Sequence, residues 1–240
     1  MNNIQLKVIE LRNYLIKPGM CRRFTDYFEE HFIDSQTSLG GYVLGQFRID
    51  GEDDKFFWIR GFEDMQTRLS CLRGFYEEGK VWKEFGPGAN EMILDSDDVY
   101  LLKPLSKYLS CDELANKKGI VVVEFYFASP NQLEQLTALF QAECASLQSK
   151  PTLLISEMTT NDFPRLPVTQ DPNLLVSIGV YDDESDYQSQ ARQSTEMKNR
   201  MRQLIARENT LILYPTAKSF IGNARTNNDP AERRLGKGSQ

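Results

Sequence analysis

The sequence lacks long apolar runs, and its four cysteines form no CxxC pair. No stretch approaches the roughly 20 apolar residues that span a bilayer, so we predict no membrane span. The opening segment MNNIQLKVIELRNY has neither the apolar core of a signal peptide nor the arginine-rich character of a transit peptide. Scattered cysteines are typical of free thiols in a reducing compartment. We therefore expect a cytoplasmic protein.

The sequence also lacks an excess of positive charge, since it contains 28 Lys and Arg residues and 34 Asp and Glu residues. A net charge of −6 argues against a broad nucleic-acid-binding face. With one histidine and no HExxH, GxSxG or paired Cys/His motif, we expect no metal and no cofactor. The segment GPGANE has the glycines of a phosphate-binding loop without its Lys-Ser/Thr, and we predict a plain loop there.

What the sequence does contain is an internal duplication. The first half alternates between strand and helix periodicity in the order βαββαβ, from LKVIELRNYLI to DVYLLKP, and the second half repeats that order from IVVVEFYF to TLILYP. The two final strands end alike, because Pro104 and Lys107 match Pro215 and Lys218. The two halves differ in length mainly within loops, as expected of a duplicated domain.

A βαββαβ unit forms a four-stranded antiparallel sheet with both helices on one face, the ferredoxin-like arrangement. The strand KFFWIRGF has apolar residues on both sides, so both faces of its sheet should be covered. We therefore predict an α+β fold with two tandem ferredoxin-like repeats packed sheet to sheet as an internally closed α/β barrel. The predicted boundaries are a first repeat at 1–108, a linker at 109–118, a diverged second repeat at 119–218, and a polar tail at 219–240.

The first strand and its exit, VIELRNYLIKPG, resemble the start of a NIPSNAP domain. The resemblance continues through GYVLGQF, FFWIRGFED and RLSCLRGFYEEGKVWKEF, whereas the second repeat lacks the Glu-Leu-Arg and Lys-Pro-Gly signatures. It implies the dimeric α/β-barrel superfamily, which includes cofactor-free monooxygenases, haem enzymes and proteins of unsettled role. NIPSNAP proteins have no agreed reaction, so the resemblance indicates a fold more than an activity.

Charged and aromatic residues on two neighbouring strands form the candidate site. Strand alternation places Glu10, Arg12 and Tyr14 on one face of the first strand, and it places Trp58 and Arg60 together on the third. These strands are central neighbours in a ferredoxin-like sheet. We predict a cavity between the sheets, or between sheet and helices, whose arginines hold an anionic or carbonyl group. The alternative is a purely structural ion-pair network.

Two further residues enter as candidates. Glu124 occupies the position equivalent to Arg12 and would be able to pair with it across the pseudo-twofold axis. His31, the one histidine, is a candidate general base or haem ligand, with packing at a helix end as the alternative. Other aromatic residues are predicted to form the core or the wall of a pocket: Tyr42, Tyr76, Trp82 and Phe85.

The sequence leaves three functions open and does not decide whether the protein is an enzyme. The leading hypothesis is a NIPSNAP-like barrel that binds a small or hydrophobic ligand, or a protein partner. The second is a cofactor-independent monooxygenase of the antibiotic-biosynthesis type, which needs only a dry pocket and a few polar groups. The third is a non-catalytic trafficking or scaffold protein. A homo-oligomer is compatible with each of them.

Overall fold

The computed structural model of the protein describes residues 4–110, 118–144, 150–193 and 195–223. Cys111, most of the predicted linker and most of the predicted tail lie outside the described residues. No helix among these described segments is long and apolar enough to cross a membrane. Three cysteines within them are free thiols: Cys21, Cys71 and Cys144.

The first repeat has the predicted alternation of strands and helices. Its strands are β1 (Gln5–Leu6), β2 (Val8–Ile16), β3 (Tyr42–Ile49), β4 (Glu52–Phe62) and β5 (Ile93–Pro104). Its helices are α1 (Cys21–His31), α2 (Ile33–Ser38), α3 (Met65–Arg73) and α4 (Lys80–Asn90), with a π-helical turn at Gly74–Glu78. A short strand at the start of the predicted linker, β6 (Leu109–Ser110), pairs with β1.

The second repeat follows the same order. Its strands are β7 (Ile120–Ala128), β8 (Thr152–Ser156), β9 (Leu174–Tyr181) and β10 (Ile205–Pro215). Its described helices are α5 (Leu133–Cys144), α6 (Glu184–Gln193) and α7 (Thr195–Arg202). Asp183 caps α6 by accepting a hydrogen bond from the backbone N–H of Asp186 at 2.9 Å.

Eight strands close into one barrel in the order β10-β3-β4-β2-β5-β8-β9-β7, with β7 pairing back to β10. Each repeat contributes four antiparallel strands in the ferredoxin-like order, and β5–β8 and β10–β3 pairing joins the two sheets at their edges. Closure leaves none of these eight strands as a free edge. The predicted fold class is therefore confirmed, and a pseudo-twofold axis relates the repeats.

The interior of the barrel is an apolar core shared by both repeats. Ile9 and Leu11 of β2 face inward, as their alternation with charged neighbours predicts, and they belong to the same buried cluster as Val123, Val176 and Leu213. Because apolar side chains from both sheets pack there, the interior of the barrel is the core and not a polar site. Glu10, Arg12 and Tyr14 of β2 point the other way, toward the helices.

The segment GPGANE is not the predicted loop, because it forms the last turns of α4. A Cβ atom on Gly86 would lie 2.8 Å from the ring of Trp82, and one on Gly88 would lie 2.7 Å from the hydroxyl of Tyr27. The two glycines therefore serve the close packing of two aromatic side chains. Pro87 is accommodated within the helix, although proline normally interrupts one.

The hairpin connections of the two repeats differ in length and in position. The β3–β4 turn is tight, with Gly51 at φ +69°. The β8–β9 connection, residues 157–173 and hereafter the long hairpin loop, runs along β5 of the first repeat. There the Leu101 N–H donates to the Thr169 carbonyl at 3.2 Å, and the Thr169 N–H donates to the Val99 carbonyl at 2.6 Å. The second repeat thus extends over the first.

The chain beyond β10 also packs on the first repeat. Ser219, Phe220 and Ile221 are buried, and the Ile221 N–H donates to the Leu44 carbonyl at 2.9 Å. These residues lie at the beginning of the predicted tail. The first residues of the predicted polar tail are therefore packed against the first repeat. Residues 224–240 of that tail lie outside the described residues.

Candidate functional site

Five of the six predicted site residues come together on the helix-facing side of the first sheet. Pairing of β2 with β4 places Glu10 opposite Arg60 and Arg12 opposite Trp58. Residues directly opposite in an antiparallel pair share a face, and Tyr14 follows two positions after Arg12 on that face. Tyr14 and Trp58 pack in one buried cluster with aromatic side chains of α1.

Glu10 lies at the centre of a buried ion-pair network. Its carboxylate accepts hydrogen bonds from Arg12 Nη1 at 2.9 Å, from Arg60 Nη2 at 2.5 Å and from Arg68 Nε at 2.7 Å. Burial alone would raise the pKa of Glu10, but the guanidinium groups of Arg60, Arg12 and Arg68 outweigh it and hold that pKa well below its usual range. Glu10 is therefore ionised.

The three arginines each have a second polar partner. Arg12 Nε donates to the Tyr14 hydroxyl at 2.9 Å, and Arg60 Nη1 donates to Gln36 Oε1 at 2.5 Å. The indole ring of Trp58 contacts two of them, since the guanidinium carbons of Arg12 and Arg60 are 5.4 and 5.0 Å from its centroid. Such cation–π contacts stabilise a desolvated guanidinium.

Arg68 connects this network to the second repeat. Its Nη1 donates to Asp162 Oδ1 at 2.8 Å and to Asn161 Oδ1 at 3.1 Å, both on the long hairpin loop. Arg68 was not among the predicted site residues, because strand alternation says nothing about helix residues. One signal in the sequence would have indicated that Arg68 is buried. It lies four residues before Leu72 and seven before Phe75, so the three side chains share one face of the helix.

The network carries more positive than negative charge. Three buried guanidinium groups, those of Arg12, Arg60 and Arg68, face the carboxylates of Glu10 and Asp162. Arg68 Nη2 is buried and has no hydrogen-bond partner among the described residues. The two hydrogen bonds of Arg12 use Nε and Nη1, which leaves Nη2 available for a further partner. An excess buried cation of this kind favours an anionic occupant nearby.

A cavity of about 110 Å³ lies beside Arg12, between the first sheet and its helices. Trp58, whose Nε1–H is buried without a partner among the described residues, belongs to its wall. The charged residues of the lining are Arg12 and, from the long hairpin loop, Arg165, and the described lining contains no carboxylate. Most of the remaining lining residues are aromatic: Tyr14, Phe24, Phe28, Phe32, Phe75, Tyr76 and Trp82.

Tyr76 is neutral at ordinary pH, because burial raises the pKa of its hydroxyl. The Arg12 guanidinium is fixed in its charged form, since the neighbouring Tyr14 and Glu10 raise its pKa despite burial. The cavity therefore offers one buried cation, an exposed arginine and neutral rings. It can hold a small ligand that combines a flat apolar body with an anionic or electron-rich oxygen.

His31 is not brought to this cluster. Its ring stacks on Phe85 with centroids 3.9 Å apart and lies 4.5 Å from the ring of Tyr27, and His31 is not part of the cavity lining. These contacts are those of a packed helix residue. Among the described residues, no group of three or more His, Cys, Asp or Glu side chains is placed to hold a metal ion.

The pseudo-symmetry of the repeats suggested that Glu124 pairs with Arg12, but the structure does not place the two together. It accepts a hydrogen bond from the Tyr187 hydroxyl on α6 at 3.0 Å, while the carboxylate beside Arg12 is that of Glu10. The physical reason is the strand order, since β2 and β7 lie on opposite sides of the barrel and each points its polar face toward its own helices.

No family model matches this sequence, and no curated protein matches it. Among solved structures, a candidate monooxygenase from Lactobacillus acidophilus NCFM is similar over 88% of this chain and 94% of its own, with a TM-score of 0.60 and 13% identity. The chain has the dimeric α/β-barrel fold. An anthrone oxidase-like protein matches over 94% of this chain and 98% of its own, with a TM-score of 0.57 and 11% identity.

NIPSNAP family proteins are also among the structural matches. One from Agrobacterium tumefaciens is 24% identical, with a TM-score of 0.38, and covers 42% of this chain and 94% of its own. The two matches with TM-scores of 0.60 and 0.57 establish the fold, and the chemistry has to be argued from the residues of this chain.

Proposed function

We propose that this α/β-barrel protein binds a small aromatic or otherwise flat ligand, and that Arg12 holds an anionic or electron-rich oxygen of that ligand. The observation that carries the proposal is the lining of the cavity, in which Arg12 and Arg165 lie among aromatic rings without a carboxylate. In a purely structural ion-pair network we would expect one carboxylate for each guanidinium group. This network has three guanidinium groups for two carboxylates, and Arg12 is the one of the three that lines the cavity.

The size and the dryness of the cavity limit the ligand. Drug-sized ligands occupy pockets of roughly 300–1,000 Å³, so a cavity of about 110 Å³ suits a molecule with about one ring. Aromatic walls keep bulk water out, and a charge–charge contact is stronger in such a medium than in water. Arg12 is held in place by Glu10 and Tyr14, so little side-chain entropy is lost when a ligand binds.

Benzoate is expected to bind the wild-type protein more tightly than benzamide, because both fit one ring but only benzoate matches the charge of Arg12. Arg12→Met should lower the benzoate affinity by at least about 30-fold, as expected when a buried charge contact is truncated. Isothermal titration calorimetry measures both effects, and circular dichroism shows whether the variant is folded.

Arg60→Met is the matched control for damage to the network. Arg60 binds the same carboxylate of Glu10 but does not line the cavity. Its replacement should lower stability while the benzoate affinity falls by much less than in Arg12→Met. Equal losses of affinity in the two variants would show that Arg12 is structural. Native mass spectrometry of protein from its own host would identify the natural occupant.

A second candidate function is cofactor-independent oxygenation in the same cavity. The supporting observation is its largely apolar, aromatic wall around one fixed cation, an environment in which an electron-rich substrate can be held away from water. In such a reaction an activated CH₂ group and O₂ would give a C=O group and water, with both hydrogen atoms leaving in the water. Similar structures include a candidate monooxygenase and an anthrone oxidase-like protein.

An oxygen electrode tests this second candidate without added metal or cofactor. A panel of one-ring compounds with an activated methylene group should include one that consumes one O₂ per carbonyl formed, and Arg12→Met should abolish that consumption. If no compound that binds by calorimetry consumes O₂, the protein is a binding protein only.

A further inference from the structure

We propose that the long hairpin loop, residues 157–173 of the second repeat, determines which ligand the first repeat accepts, and that Arg165 on this loop selects ligands with two anionic groups. This inference rests on the binding function proposed above. It assigns to the second repeat a role in a site whose other predicted residues all lie in the first repeat.

The loop is fixed at both of its ends. Near its start, the Glu157 N–H donates to the Leu101 carbonyl of β5 at 2.9 Å, and near its end Thr169 exchanges backbone hydrogen bonds with β5. Gln170 joins the two ends, since its side-chain amide donates to the carbonyls of Glu157 at 2.5 Å and Thr159 at 2.7 Å. The segment between these anchors is therefore held over the first repeat.

The middle of the loop packs against the site itself. Phe163 is buried, with its ring 6.3 Å from that of Tyr76, which lines the cavity. Asp162 forms an ion pair with Arg68 at 2.8 Å, and Arg68 in turn contacts Glu10. A line of direct contacts therefore runs from Asp162 to Glu10, the carboxylate that also holds Arg12.

Arg165 and Leu166 follow immediately and complete the lining of the cavity. Arg165 is exposed, so it lies where the cavity meets solvent, whereas Arg12 is buried within the protein. A ligand anion bound to Arg12 would leave Arg165 with no carboxylate among the described lining residues. An aromatic ligand with a second carboxylate at its outer end would satisfy both guanidinium groups.

Comparison of the two repeats shows why only one hairpin connection covers the site of the other repeat. The corresponding connection in the first repeat is the tight turn at Asp50 and Gly51, and its Asp50 N–H donates to the Ile212 carbonyl of β10. That turn is too short to cover the helix layer of the second repeat. The long insertion in the second hairpin therefore completes the arginine site of the first repeat.

Calorimetry with benzoate and with the three isomers phthalate, isophthalate and terephthalate tests the inference. In the wild-type protein the best dicarboxylate should bind about three- to fivefold more tightly than benzoate, as expected of a partly exposed ion pair. Arg165→Gln should abolish this preference, and Arg165→Lys should restore part of it. Arg73→Gln removes another exposed arginine, on α3 and outside the lining, and should keep the full preference.

The outcomes separate this inference from the proposed function. If benzoate binds but no isomer is preferred, or if the preference persists in Arg165→Gln, the loop does not select the ligand and the binding function stands. If neither benzoate nor any isomer binds the wild-type protein, both proposals fail. A preference that weakens as salt is added, in the wild-type protein and not in Arg165→Gln, would support the inference independently.

Discussion

Replacing Glu10 by Gln is expected to lower the free energy of unfolding by about 3–5 kcal/mol, because it removes the one carboxylate shared by three buried guanidinium groups. The side chain of Glu10 is fully buried, as are those of Arg60 and Arg68, so water cannot replace the lost charge. The amide would also direct N–H donors toward guanidinium donors. Urea denaturation at neutral pH measures the loss.

The acid dependence provides a second readout of the same substitution. The folded-state pKa of Glu10 is depressed below its ordinary value of 4.5, so its contribution is present above that value and is lost as the pH falls toward the folded-state pKa. The stability difference between wild type and Glu10→Gln should therefore be constant near neutrality and shrink below about pH 4.

Glu30→Gln is the control, because the Glu30 side chain is 73% exposed and its loss should change stability by no more than about 0.5 kcal/mol. A loss below about 1 kcal/mol in Glu10→Gln would contradict the central role of this carboxylate. It would mean that the arginines are stabilised mainly by their other contacts, those of Arg12 and Arg60 with Tyr14, Trp58 and Gln36 and those of Arg68 with Asp162 and Asn161.

Period-two patterns, taken with the βαββαβ alternation, were enough to predict the eight strands of the barrel and their order. Ile9 and Leu11 alternate with Glu10 and Arg12, and the ferredoxin-like order makes β2 and β4 neighbours, so the meeting of Arg12 with Trp58 followed from the sequence. The pattern did not decide which face of the sheet would hold a cavity, since strand alternation distinguishes two faces without saying what covers each.

Contacts between distant segments were the part that local patterns could not supply. Asp162 reaches Arg68 only because the barrel closes through β5 and β8, which brings the long hairpin loop beside α3. The helical conformation at Gly86 to Gly88 was not predicted from the sequence for a related reason. Its glycines are required by the rings of Trp82 and Tyr27, and tertiary packing overrides the usual preference of Gly and Pro for loops.

Val123→Asp tests whether the barrel interior is a solid core. Val123 is fully buried on β7 and belongs to the apolar cluster formed by both repeats. An unpaired carboxylate there would cost several kcal/mol whether it stays charged or takes up a proton, against a total stability of about 5–15 kcal/mol for ordinary domains. We expect the variant to lose its cooperative thermal transition, which differential scanning calorimetry would show.

Leu94→Asp introduces the same side chain at a leucine that is 56% exposed on β5, and it should shift the free energy of unfolding by no more than about 0.5 kcal/mol. If Val123→Asp kept a cooperative transition close to that of the wild type, the interior would have to admit water or a polar ligand. The candidate site would then move from the helix layer to the space between the two sheets. Loss of the transition instead leaves the layer beside Arg12 as the place where a ligand can enter without disturbing the core.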